Sequence, residues 1–190
     1  MEKKFGKRID SHKVKNKVFK IVITGPESTG KSTLTQSLAN YFKEPYVYEM
    51  ARNYLTDLKR PYAYDDLKEI AILQLEEEEK KIQDARDYLF IDTDLVVLKI
   101  WSNFKFKKCD PFILENLLKR SYNYYLLCDT DLAWEADPLR EAPDLKTREE
   151  LFEINKSELK FYNKIYGVVS GDQQKRVEMA IDLVSAQFAF

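Results

Sequence analysis

Residues 17–24 read Lys17-Val18-Phe19-Lys20-Ile21-Val22-Ile23-Thr24, and residues 25–32 read Gly25-Pro26-Glu27-Ser28-Thr29-Gly30-Lys31-Ser32. The first stretch is β-branched, apolar and closed by a glycine, the pattern of a buried strand. The second fits G-x-x-x-x-G-K-[ST] at every fixed position. A helical pattern follows, with Leu34, Leu38 and Phe42 spaced by four. Strand, glycine-rich turn and helix together predict a phosphate-binding loop. The glycines let backbone N–H groups close on an oxyanion, backed by the helix N-terminus. In such a loop Gly25, Pro26, Glu27, Ser28, Thr29, Gly30, Lys31, Ser32 and Thr33 cradle a nucleotide. Lys31 adds positive charge to the β- and γ-phosphates, and the Ser32 hydroxyl is a ligand for Mg²⁺.

Further strands are expected at 46–48, 88–92, 124–128 and 167–170, and helices at 64–85, 94–104, 111–120, 145–162 and 174–189. This alternation predicts an α/β fold of the P-loop NTPase class. Its sheet is parallel, of about five strands, with helices on both faces and a lid after the fourth strand. The expected domain layout is a basic leader over residues 1–16, read as a solvated tail, and a single domain over 17–190. The charge run Glu76–Lys81 is read as a solvated helix face.

Composition narrows the chemistry. The 190 residues carry 31 Lys+Arg against 32 Asp+Glu, a net charge of −1. That excludes a strongly basic nucleic-acid coat, so no nucleic-acid partner is expected. No apolar run reaches the roughly 18 residues that span a bilayer, so no membrane partner is expected either. The one histidine, His12, lies in the leader, which excludes a Ser-His-Asp or Cys-His catalytic system. Cys109 and Cys128 form no disulfide framework and no zinc pattern, consistent with a reducing, cytoplasmic setting.

Ligands of an open parallel sheet sit beyond the carboxyl ends of its strands. Glu49 stands after the second strand, Asp92 and Asp94 after the third, and Asp129 and Asp131 after the fourth. Asp92 directly follows Leu89-Phe90-Ile91, the usual place of the carboxylate that serves Mg²⁺. Glu49 is the first candidate to accept a proton from an acceptor hydroxyl, with Asp92 as the alternative. Asp94 has helix capping as its strongest structural reading. The segment 133–143 is polar, holds two prolines and contains Arg140. That arginine suits a lid that closes on a transferring phosphoryl group, with Arg148 in reserve. Gly171 and Asp172 lie where an adenine would rest. A guanine-reading N-K-x-D motif is lacking: Asn155-Lys156-Ser157-Glu158 has no aspartate at its last position.

Five segments in order resemble a known family: 25–32, 49–55 (Glu-Met-Ala-Arg-Asn-Tyr-Leu), 92–94 (Asp-Thr-Asp), 127–140 and 166–171 (Tyr-Gly-Val-Val-Ser-Gly). Together they are similar to the nicotinamide riboside kinase domain of the bacterial bifunctional NMN adenylyltransferase/ribosylnicotinamide kinase family. The resemblance runs from about Lys17 to the C-terminus, and the lid pattern Trp134-x-x-Asp137-x-x-Arg140 is its most specific part. It implies ATP- and Mg²⁺-dependent phosphorylation of the 5′-hydroxyl of nicotinamide riboside. Catalytic residues would be Lys31, Glu49, Asp92 and Arg140, with Ser32 and Asp92 at the metal. A flat cationic ring calls for aromatic faces and carboxylates. Glu49, Arg52, Asp94, Trp101, Trp134 and Asp137 are the candidates, with Tyr48 and Tyr54 as further aromatics. Of the two tryptophans Trp134 is favoured, because a polar lid has little core to fill and Trp101 suits a core position equally well. The adenylyltransferase H-x-G-H motif is absent, so a stand-alone kinase is expected. Two other readings stay open: a kinase for another nucleoside or small metabolite, and a regulatory ATPase with no small-molecule acceptor. The oligomeric state is not legible.

Overall fold

The computed structural model describes residues 17–189; the expected leader lies outside them. Strands β1 (Phe19–Thr24), β2 (Tyr46–Val47), β3 (Tyr88–Asp92), β4 (Tyr124–Cys128) and β5 (Tyr166–Val169) form one sheet in the order β2-β3-β1-β4-β5. Every pairing is parallel, with Ile23 level with Asp92 and Thr24 level with Leu127. The residues that end β1, β3 and β4 therefore share one edge.

Alternation along β1 sorts the core. Ile21 and Ile23 face α1 (Lys31–Phe42) and α7 (Gln173–Gln187), in a cluster with Leu34, Leu38, Leu126 and Val184. Val22 faces the opposite side, with Leu89, Ile91, Tyr125 and Leu127, and meets Leu159 of α6 (Leu145–Phe161). A third cluster joins α2 (Met50–Asp57), α3 (Asp66–Lys81), α4 (Leu95–Phe106) and α5 (Pro111–Lys119) beside the sheet. The helices start where short carboxylates can accept the first free N–H groups. Asp94, Asp110, Asp144 and Asp172 do this for Val96, Phe112, Thr147 and Lys175. No described helix is long and apolar enough to cross a membrane.

Two expectations are corrected. Helix α2 was not anticipated, and it carries Arg52 to the sheet edge. The run Glu76–Lys81 is not wholly solvated, because Glu78 is fully buried. Tyr122 donates its hydroxyl to Glu78 at 2.8 Å, Arg120 approaches at 3.2 Å, and Lys20 lies at 4.0 Å. Burial outweighs these partners and pushes the Glu78 carboxyl up to about 7.

Candidate active site

The loop of residues 25–30 departs from ordinary backbone geometry at three positions. Gly25, Ser28 and Gly30 have φ of 134°, 57° and 74°. A side chain at Gly25 would place Cβ 2.7 Å from the Cys128 carbonyl oxygen, so β4 leaves room for glycine alone. Ser28 is a non-glycine residue in the left-handed region, a strained state that persists where neighbours hold it. Gly30 offers α1 no side-chain cap, so the first N–H groups of that helix are not taken by a capping residue. The Lys31 ammonium donates to the Pro26 carbonyl at 2.7 Å, and the Thr29 hydroxyl donates to the same oxygen at 2.8 Å.

A second brace comes from far along the chain. Arg176 of α7 is only 2% exposed. Its guanidinium donates to the carbonyls of Thr29, Val169, Gly171 and Asp129, and pairs with Asp131. Nothing in the local sequence marks this arginine, since it lies in an ordinary helical pattern.

At the end of β3 the chain makes an abrupt change of direction. Thr93 has φ of 64°, rare for a β-branched residue. Its N–H donates to the Ile23 carbonyl, and its own carbonyl accepts from Gln74. The two aspartates on either side go different ways. Asp94 is buried, caps α4 through Val96, and accepts the Tyr125 hydroxyl at 2.8 Å. Burial pushes its carboxyl up to about 6. It does not line the cavity, so the geometry gives it the capping role and not the substrate contact expected from its position. Asp92 is 3% exposed, and its Oδ1 is buried without a hydrogen-bond partner. Burial and then the nearby Glu49 push its carboxyl up to about 7, against the opposing pull of Lys31, the Ser32 hydroxyl and Arg52.

A cavity of about 480 Å³ runs from the phosphate loop to an apolar end. The loop residues 25–33 form one wall, joined by Glu49, Arg52, Arg140 and Arg176. Leu55, Val97, Ile100, Trp101, Phe104 and Leu151 form the far end. Trp101, one of the expected ring contacts, is here. Its indole N–H donates to the Tyr62 hydroxyl at 2.8 Å, and Tyr62 donates to Glu141 at 2.9 Å. Lys105 also reaches Glu141, at 2.6 Å, and its ammonium sits 3.7 Å above the Tyr62 ring.

The other expected contacts fall elsewhere. Trp134 does not line the cavity, although Ala133 and Glu135 on either side do. Asp137 also stays off the cavity wall. It pairs with Arg52 at 2.9 Å and accepts the Leu139 N–H, and these two hold its carboxyl below the usual range. Gly171 and Asp172 lie just outside as well: Gly171 donates to Asp131, and Asp172 caps α7. The cavity instead meets α7 at Gln173, Arg176 and Val177. Arg140 does reach the loop, donating to Ser28 Oγ at 3.1 Å and to the Glu135 carbonyl. Arg148 is buried and supports the lid base through the Leu132 carbonyl. Asn155 sits inside α6, bonded to Thr24 and Leu151.

A family model described as an AAA domain matches residues 20–176. The chain belongs to this family. Among curated relatives of this chain is the trifunctional NAD biosynthesis/regulator protein NadR of Salmonella typhimurium. It is 29% identical over 124 residues, which cover 63% of this chain and 30% of that protein. The Escherichia coli protein of the same name is 28% identical over 134 residues, covering 68% of this chain and 33% of its own. The chain thus spans about a third of the length of these relatives. These NadR proteins represent the family that the sequence motifs resemble. Among solved structures, a NadR protein in complex with NR superposes with a TM-score of 0.77 at 19% identity, over 91% of this chain and 52% of that one. A thymidylate kinase from Ehrlichia chaffeensis gives 0.62 at 13% identity, over 87% and 98%. These likenesses establish the P-loop kinase fold, with its five-stranded parallel sheet.

Proposed function

We propose that this protein is an ATP-dependent kinase that phosphorylates the 5′-hydroxyl of nicotinamide riboside, giving nicotinamide mononucleotide. The observation that carries the reading is one continuous cavity with a phosphate loop at one end and Trp101, Phe104 and apolar side chains at the other. A nucleoside can lie with its base among these rings and its 5′ end toward the loop. Glu49 lines the same cavity, and its carboxylate suits a cationic ring. The NadR relatives and the NadR structure holding NR support this choice of acceptor.

ATP binds with its phosphates in the loop 25–33, where Lys31 exchanges the Pro26 carbonyl for phosphate oxygens. Asp92 and Ser32 fit Mg²⁺: both offer hard oxygen, and Asp92 Oδ1 is buried without a partner. When bound, the ion neutralises charge on the phosphate oxygens. Glu49 lies on the cavity wall, and Asp92 behind it, so Glu49 takes the proton from the acceptor hydroxyl. Arg140 approaches over Ser28 and stabilises charge on the moving phosphoryl group. Arg52, held by Asp137, adds a second cation on the acceptor side.

Coupled ADP release with ATP, Mg²⁺ and a panel of nucleosides tests this. Saturable turnover selective for nicotinamide riboside is expected. Turnover with another nucleoside alone overturns the choice of acceptor and keeps the kinase. ATP binding without turnover on any acceptor overturns both and favours a regulatory ATPase.

A further inference from the structure

The third residue of the phosphate loop makes a contact that phosphate binding does not require. The Glu27 carboxylate accepts two consecutive lid N–H groups, Glu141 at 3.0 Å and Ala142 at 2.5 Å. These lie 114 and 115 positions away in sequence. Its neighbour Ser28 accepts the Glu135 N–H at 3.0 Å and the Arg140 guanidinium at 3.1 Å. The two loop side chains therefore hold the lid on both sides of Arg140. Between these anchors the lid is folded on itself: the Arg140 N–H donates to the Asp137 carbonyl at 3.0 Å, and the Arg140 side chain reaches back to the Glu135 carbonyl.

From this geometry we infer that Glu27 is a positioning residue, which sets Arg140 over the phosphate loop for phosphoryl transfer. The inference rests on the kinase reading above. A carboxylate beside bound phosphates is repelled by them unless its charge is directed elsewhere. Here both oxygens are engaged by the lid, and charge-assisted bonds to backbone N–H groups are the strong kind. A loop that binds phosphate with its backbone thus reads the lid with its side chains. Arg140 is tied to the loop through Ser28 and through the backbone next to it, so a small displacement at residues 141–142 moves the guanidinium. Misplacing a catalytic group by about 1 Å can lower turnover a hundredfold.

The test uses Glu27→Ala, Glu27→Gln, Arg140→Ala and the double variant Glu27→Ala/Arg140→Ala. Glu27→Ala is expected to lower kcat by roughly thirtyfold while KM for ATP moves less than about threefold. Glu27→Gln should fall between it and the parent, because its carbonyl can accept one lid N–H while its amide opposes the other. Adding Glu27→Ala to Arg140→Ala should cost less than about a further threefold, since the two residues act as one unit. Full multiplication of the two effects overturns the inference, as does a rise in KM for ATP with kcat unchanged. Trypsin supplies a readout that needs no substrate. Cleavage between Arg140 and Glu141 should speed up in Glu27→Ala and less so in Glu27→Gln, with the global melting temperature preserved. An unchanged cleavage rate overturns the clamp. If Glu27→Ala does not fold, the isosteric Glu27→Gln carries both arms. Absence of nucleoside-dependent ADP release in the parent, together with faster cleavage in the variant, marks the kinase reading as the part that failed.

Discussion

The phosphate loop takes most of its shape from eight contiguous residues and the strand and helix that flank them, with Arg176 and β4 as its distant braces, whereas the lid opposite takes its shape from contacts across the whole chain. Gly25, Ser28 and Gly30 hold local backbone states, and Lys31 bonds within the loop itself. The lid is held by Glu27, by Ser28, by Arg52 through Asp137, and by Tyr62 and Lys105 through Glu141. Local backbone chemistry makes the phosphate wall. Long-range side-chain chemistry makes the acceptor wall.

The largest effect should come from the loop. Lys31→Ala is expected to lower turnover by about a thousandfold or more, with melting temperature nearly unchanged, because one preorganised donor at the reacting charge is worth that much. Near-normal steady-state turnover in that variant would remove the phosphate loop from the chemistry. Gly25→Ala tests the same wall through stability. A Cβ 2.7 Å from the Cys128 carbonyl, on backbone at φ 134°, should destabilise by about 2–4 kcal/mol in denaturant melts. An unshifted midpoint would mean that β4 can move away from the loop.

The acceptor wall predicts a smaller and more selective effect. Trp101→Ala should raise KM for the nucleoside about tenfold and leave KM for ATP within about twofold, the scale of one lost aromatic face. Trp134→Ala should leave both within about threefold. The reverse ranking in initial-rate measurements would return Trp134 to the site and displace Trp101.

The last effect lies away from both walls, at Glu78, and leaves turnover alone. Burial raises its folded-state carboxyl from the ordinary 4.5 to about 7. The protonated form is therefore favoured by folding, and its contribution is complete below the unfolded value. It is lost as pH rises through the window from about 4.5 to about 7. Glu78→Gln fixes a neutral group that can still accept the Tyr122 hydroxyl. Its melting temperature should gain on the parent between pH 5 and pH 8. A difference that stays constant with pH would show that Lys20 and Arg120 hold the carboxylate ionised throughout.

What could be read from the sequence follows the same division. Strands β3 and β4 occupy the expected residues, because short apolar runs with sharp polar ends leave no other register. The loop was legible down to single residues, since most of its constraints lie within one short segment. Helix α2 escaped because it is short and exposed on most sides, with Ala51 as its one buried residue. Glu78 looked solvated because its partners Arg120 and Tyr122 lie 42 and 44 positions away. The two aspartates at the end of β3 differ through one backbone angle at Thr93, which no residue pattern displays. The sequence favours Trp134 over Trp101 for the ring, yet Trp101 is the one that lines the cavity, because packing decides which ring faces it. Arg176 and the clamp of Glu27 were invisible for the same reason.

Arg176 carries a consequence for the order in which the molecule is made. The carbonyls at Thr29, Asp129 and Val169 meet at one guanidinium, which arrives with the last helix described. On the ribosome Thr29 emerges 147 residues ahead of Arg176, and the phosphate loop stands without this support until α7 has docked. The loop's bracing is thus assembled in two stages, one within its own segment and one only when α7 docks.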